Sequence, residues 1–128
     1  MKRALPFVLP WLLVALLLAT ASCGTRRGRS ENPLGLRIAV TPAALTTGPT
    51  TLTVTVQQPD GTPIDDAALM VRGDMSHAGM VPVLAPPVTG GENGLYVIPF
   101  DWTMAGDWFV TVSLTLPDGG RAVELFDF

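Results

Sequence analysis

The chain has 128 residues, a formal net charge of −3, one cysteine and one histidine. A single cysteine excludes an internal disulfide framework, even in an oxidising compartment. A single histidine without a G-x-S-x-G-type nucleophile motif gives no basis for a catalytic triad, and the excess of acids excludes a basic patch for nucleic acid.

Lys2 and Arg3 form a short positive region, and an apolar run follows from Ala4 to Ala21. Small residues then lead to Cys23. This order and composition mark an export signal over 1–22. The segment Ala19-Thr20-Ala21-Ser22-Cys23 resembles a bacterial lipoprotein signal, in which the cysteine becomes the lipidated first residue. Thr20 stands where leucine is commonest in such signals. Two other readings compete. Ala19-Thr20-Ala21 also fits an A-x-A cleavage site that releases a soluble secreted or periplasmic protein. Alternatively the apolar run stays as an anchor, although Pro6 and Pro10 make it a poor membrane span. The lipoprotein reading is favoured, because the chain's only cysteine falls at the expected place. Each reading puts the rest of the chain outside the cytoplasmic membrane.

From Cys23 onward six arginines and no lysine face eleven acids, a formal charge of −5. Arg26, Arg27 and Arg29 lie in a polar stretch without periodicity, which predicts a flexible tether over 23–33. Near lipid head groups these arginines would add weak attraction to anionic lipid; a solvated spacer is the preferred reading.

From Leu34 to Phe128 the length suits one compact core and is too short for two. Leu36, Ile38 and Val40 alternate with Arg37 and Ala39. Leu52, Val54 and Val56 alternate with Thr51, Thr53 and Thr55, the clearest half-buried strand. Asp60-Gly61 signals a turn between Pro59 and Pro63. Ala67 to Arg72 reads as a strand, with Met70 assigned to the core. A Pro/Gly-rich loop spans 86–94. Tyr96, Ile98 and Phe100 alternate next, Met104-Ala105-Gly106-Asp107 turns, and Trp108 to Leu116 alternate again. Asp118-Gly119-Gly120 leads into a last strand, Arg121 to Phe126, with Phe126 and Phe128 off its Val123/Leu125 face. Those two rings either cap the sandwich edge or mark a contact surface. The pattern predicts an all-β fold over 34–128, an antiparallel immunoglobulin-like β-sandwich of about six or seven strands. Trp108 and Tyr96 are its expected core fillers.

The chemistry-bearing run is Asp74-Met75-Ser76-His77-Ala78-Gly79-Met80. Imidazole and thioether suit Cu(I) where no thiolate is at hand. If 74–78 is extended, Met75 and His77 project from one face, and Gly79 permits a bend that turns Met80 back. Met104 becomes a fourth ligand if its loop shares the same end of the sandwich. Zinc would want more nitrogen, thiolate or carboxylate, and calcium lacks hard ligands apart from Asp74. The spacing alone leaves two readings equally open, a soft-metal site and ordinary packing, because M-x-H-x-x-M is a short pattern. Asp65-Asp66 reads as solvated loop charge.

Three blocks together carry a family resemblance: Gly73-Asp74-Met75-Ser76-His77-Ala78-Gly79-Met80-Val81-Pro82-Val83, then Gly94-Leu95-Tyr96, then Trp102-Thr103-Met104-Ala105-Gly106-Asp107-Trp108. In order and spacing they resemble the FixH-like or YtkA-like domain family, over most of residues 36–116. The resemblance implies an exported or membrane-anchored β-sandwich linked to assembly or metal supply of respiratory oxidases, copper being the usual metal. The family's Met/His loop falls on Met75, His77 and Met80. FixH-like proteins proper carry a membrane helix, whereas this chain is expected to use a lipid anchor.

The expectation is therefore a non-enzymatic, membrane-anchored extracytoplasmic lipoprotein, lipidated at Cys23. It would bind copper(I) through Met75, His77, Met80 and Met104, and serve a respiratory oxidase or another copper protein as a metal chaperone. The alternative is a metal-free interaction module, an accessory subunit of a membrane respiratory complex. There the methionines, Phe126 and Phe128 would be contact residues.

Overall fold

The computed structural model describes residues 29–128; the signal segment, Cys23 and most of the tether lie outside them. Eight strands follow in chain order: β1 (Arg37–Pro42), β2 (Gly48–Gln57), β3 (Ala68–Met75), β4 (Val83–Leu84), β5 (Val88–Thr89), β6 (Leu95–Trp102), β7 (Trp108–Thr115) and β8 (Arg121–Asp127). Their pairing is antiparallel throughout. One sheet runs β1-β2-β6; the other runs β4-β3-β7-β8, with β5 also on β3. The chain is an all-β sandwich, as the alternation predicts. β4 and β5 have two residues each, too few for a period-two signal, and β5 falls within the loop expected over 86–94.

The core lies between the sheets. Leu52, Val54 and Val56 of β2 and Tyr96, Ile98 and Phe100 of β6 face Leu69 and Val71 of β3 and Val110, Val112 and Leu114 of β7, all buried. The threonines between them point outward, so each strand contributes one apolar face. Burying each such aliphatic side chain contributes about 1.5–3 kcal/mol. Tyr96 fills the middle as expected, 1% exposed. Its hydroxyl donates to the Ile64 carbonyl at 2.7 Å and accepts from the Ala67 amide at 3.1 Å. This ties the connection before β3 into the core. Burial pushes the Tyr96 phenol above its ordinary value of 10.0, against the Ala67 hydrogen bond, which lowers it.

Two expectations need correction, and one open alternative is narrowed. Met70 is not core: it is 63% exposed. In β3 the inward set is Leu69, Val71 and Gly73, so the strand's parity sends Met70 out beside Arg72. The last strand turns its other face inward. Ala122 is buried, and Phe126 and Phe128 pack against the core, Phe128 edge-on to Trp102 at 5.9 Å between centroids. Of the two roles expected for these rings, capping the sandwich edge is the one this packing fits. Finally, the structured domain starts before Leu34. Glu31 exchanges backbone hydrogen bonds with Val123 at 2.7 and 2.8 Å. The Leu125 amide donates to the Ser30 hydroxyl at 3.1 Å, and the Asn32 side chain holds Leu36 and Glu124. The bonds to Val123, Glu124 and Leu125 run between segments some 90 residues apart, which local composition does not reveal.

Candidate metal centre

The Met/His run straddles the end of β3. Met75 is the last strand residue and Ser76–Gly79 bend away, so Met75 belongs to a strand and not to the loop proper. It points inward, in register with Trp108 of β7, half-buried and packed on the core. The backbone then follows β7 one step further, the Ser76 amide donating to the Asp107 carbonyl at 3.2 Å. This pairing brings the β3–β4 hairpin and the turn before β7 to the same end of the sandwich.

Gly106 sits where they meet. A Cβ built on it would lie 3.0 Å from Cε of Met75 and 3.6 Å from Cε1 of His77. The Met75 methyl and the His77 ring edge therefore both lie over Gly106, despite the bend that replaces the extended backbone expected for 74–78. Gly106 has φ of 138°, a conformation that L side chains rarely adopt. Glycine meets both demands there, backbone and space. His77 is exposed and Met75 half-buried, so the pair presents an open face to solvent.

Met104 lies two residues before Gly106 in the same turn, 48% exposed. Met80 is half-buried beyond Gly79, whose φ of 81° turns the hairpin. Neither Met80 nor Met104 comes within 4 Å of the point over Gly106 where Met75 and His77 meet. Two of the four expected ligands, Met75 and His77, thus both border Gly106. The third lies in the same hairpin and the fourth in the facing turn.

Beneath this end lies an aromatic cluster that the sequence reading did not connect to the site. Trp102 packs edge-to-face on Phe100 at 4.8 Å and on Trp108 at 5.4 Å, and Phe100 meets Trp108 at 6.1 Å. Gly73 is buried because the Phe100 ring occupies the place of its side chain, with Trp108 Cε3 at 3.3 Å. The indole Nε1 of Trp102 donates to the Ala44 carbonyl at 2.7 Å, and that of Trp108 to the Met104 carbonyl at 3.0 Å. A small cleft of about 70 Å³ opens among Met104, Gly106, Trp102, Trp108 and Phe128. The repeated tryptophans of Trp102-Thr103-Met104-Ala105-Gly106-Asp107-Trp108 were the available signal for this cluster.

The charge near the site is mostly acidic: Asp107 and Asp127 line a hollow of about 360 Å³ with Ser76, Trp108 and Phe128. On the outward face of β3, Arg72 makes a bidentate pair with Asp74, both contacts at 2.8 Å, which raises the Arg72 guanidinium pKa above its ordinary value. Among the described residues no group of three or more His, Cys, Asp or Glu side chains is placed to hold a metal. The donors that do converge are soft. A larger hollow of about 530 Å³ at the opposite end is lined by Asp65, Asp66 and Asp118 among others, and among the described residues no methionine or histidine lines it.

A family model described as YtkA-like matches residues 30–113, a span that contains all three blocks singled out in the sequence. Among solved structures, the soluble domain of PmoD from Methylocystis sp. ATCC 49242 (Rockwell) is similar at 17% identity, covering 65% of this chain and 72% of that one, with a TM-score of 0.42. No curated protein gives a significant match. Among the described residues no helix is long and apolar enough to cross a membrane. The match of the family model over most of the sandwich, with the Met/His hairpin and the tryptophan-flanked turn inside it, places the chain in the YtkA-like family.

Proposed function

We propose that this protein is an extracytoplasmic copper(I)-binding module without enzymatic activity, anchored to the membrane through a lipidated Cys23. In this reading it supplies copper to a respiratory oxidase or another copper protein. One observation carries it: the Met75 methyl and the His77 ring edge both lie over Gly106 in a solvent-open position. A thioether and a neutral imidazole are donors that Cu(I) accepts at low coordination number, and they select against hard cations. Met104 and Met80, on the facing turn and the same hairpin, are the reserve from which a third ligand comes. An exposed, low-coordinate site suits hand-over, because a partner's ligands reach the metal without unfolding the donor. Membership of the YtkA-like family agrees with this role, through the family's link to oxidase metal supply.

Competition against a chromophoric Cu(I) chelator tests the reading. The wild-type protein should take up one Cu(I), and His77→Ala should weaken binding about tenfold or more. Unchanged affinity in that variant would remove His77 from the site. Copper-free protein that still co-purifies with a membrane complex would instead establish the metal-free accessory role. The mass of membrane-extracted protein decides the anchor, since diacylglyceryl addition at Cys23 changes it plainly.

A further inference from the structure

The turn that carries Met104 and Gly106 has little of its own to hold it. It is five residues long, 103–107, and all five are exposed. Its position nevertheless decides whether the floor under Met75 and His77 exists. One buried side chain reaches it: the Trp108 indole, 3% exposed, whose Nε1 donates to the Met104 carbonyl at 3.0 Å. We infer that Trp108 is the positioning residue of the soft-ligand site, clamping the 103–107 turn so that Gly106 and Met104 face Met75 and His77. This rests on the copper reading for its purpose, though not for its geometry.

Trp108 is suited to the task because its own placement is fixed from several sides. Its backbone exchanges two hydrogen bonds with Phe128, both 2.9 Å. Its ring is wedged edge-on between Phe100 and Trp102. It is also the cross-strand neighbour of Met75 on the inward face. One residue therefore touches both halves of the site, side by side with Met75 across the sheet and bonded to the Met104 backbone through its indole N–H. Phenylalanine at this position keeps an aromatic ring in the cluster and loses the donor, which leaves the Met104 carbonyl to water.

The test separates the clamp from the metal. In the metal-free protein, a nuclear Overhauser contact between the Gly106 Hα and the Met75 methyl reports the assembled turn. Trp108→Phe should retain the native circular dichroism and lose that contact. The same variant should weaken Cu(I) about 10- to 100-fold, the usual effect of removing a partner that orients a ligand. A merely structural tryptophan would leave that contact in place. Persistence of the contact in Trp108→Phe overturns the inference. If wild-type protein takes up no Cu(I), the copper reading fails, and the contact alone decides the clamp: loss supports it, persistence overturns it. Should Trp108→Phe not fold, the wild-type indole N–H decides. Slow exchange with water and a shift on adding Cu(I) support the clamp, whereas fast exchange overturns it.

Discussion

At the scale of single residues, the site is defined as much by an absent side chain as by those present. Met75 and His77 come from a strand end and a bend, and they meet because Gly106 leaves room for both. Alanine at 106 would be strained at φ of 138° and would press its Cβ on the Met75 methyl at 3.0 Å. Gly106→Ala is therefore expected to cost only about 1–2 kcal/mol of stability, since the turn is exposed. It should weaken Cu(I) binding by a larger factor than its effect on stability suggests. Parallel urea unfolding and Cu(I) competition check this; equal affinity with wild type would show that the glycine does not shape the site. The Arg72–Asp74 pair nearby is well formed but exposed, and removing it should change stability by no more than about 1 kcal/mol.

At the scale of elements, the close approach of β3 to β6 holds the site end together. Gly73 lets the Phe100 ring lie against the β3 backbone, while Trp102 and Trp108 fix that ring edge-on. A methyl group at 73 would collide with a ring that has nowhere to move. Gly73→Ala should destabilise the fold by about 1–3 kcal/mol, measured as a lower urea midpoint at unchanged m-value. A neutral result would mean the sheets separate more easily than their packing implies. The strand periods of β1, β2, β6 and β7 were legible because one face of each is uniformly apolar. The inward parity of β3 and β8 was not. Both carry large apolar residues on either face, Met70 against Val71 and Leu125 against Phe126. Alternation then defines a strand without saying which face is buried.

At the scale of the molecule, two features govern stability. The first is charge. From Arg29 onward four arginines face eleven acids, so self-repulsion opposes folding. Raising sodium chloride from about 10 mM to about 200 mM should therefore increase unfolding free energy, by about 0.5–1 kcal/mol, through screening. A salt-independent urea midpoint would contradict this. The second is Tyr96. Its folded pKa lies above 10.0 because burial disfavours the phenolate. Above pH 10 the unfolded chain thus loses this proton while the folded chain keeps it. The Tyr96 contribution is complete below pH 10 and is lost as the pH rises through the higher folded value. Urea unfolding between pH 8 and 11 should show the decline, and Tyr96→Phe should flatten it. That variant should also cost about 1–3 kcal/mol at neutral pH, by orphaning the Ile64 carbonyl and Ala67 amide. An identical alkaline slope in the variant would assign the decline elsewhere.

The sequence by itself determined the all-β class, most of the strands, the Tyr96 and Trp108 core positions, and the soft-donor chemistry of Met75, His77, Met80 and Met104. These follow from side-chain period and donor type, which are local properties. It also carried the three blocks by which the family is recognised. Only the tertiary structure decided which donors meet. Convergence of Met75 with His77 over Gly106 depends on the β3–β7 register, which pairs Met75 with Trp108 across more than thirty residues of chain. The same register puts the Trp108 indole under the Met104 turn and leaves Met80 and Met104 outside the immediate contact. A spacing pattern lists candidate ligands, and register, bend and the absence of one Cβ select among them.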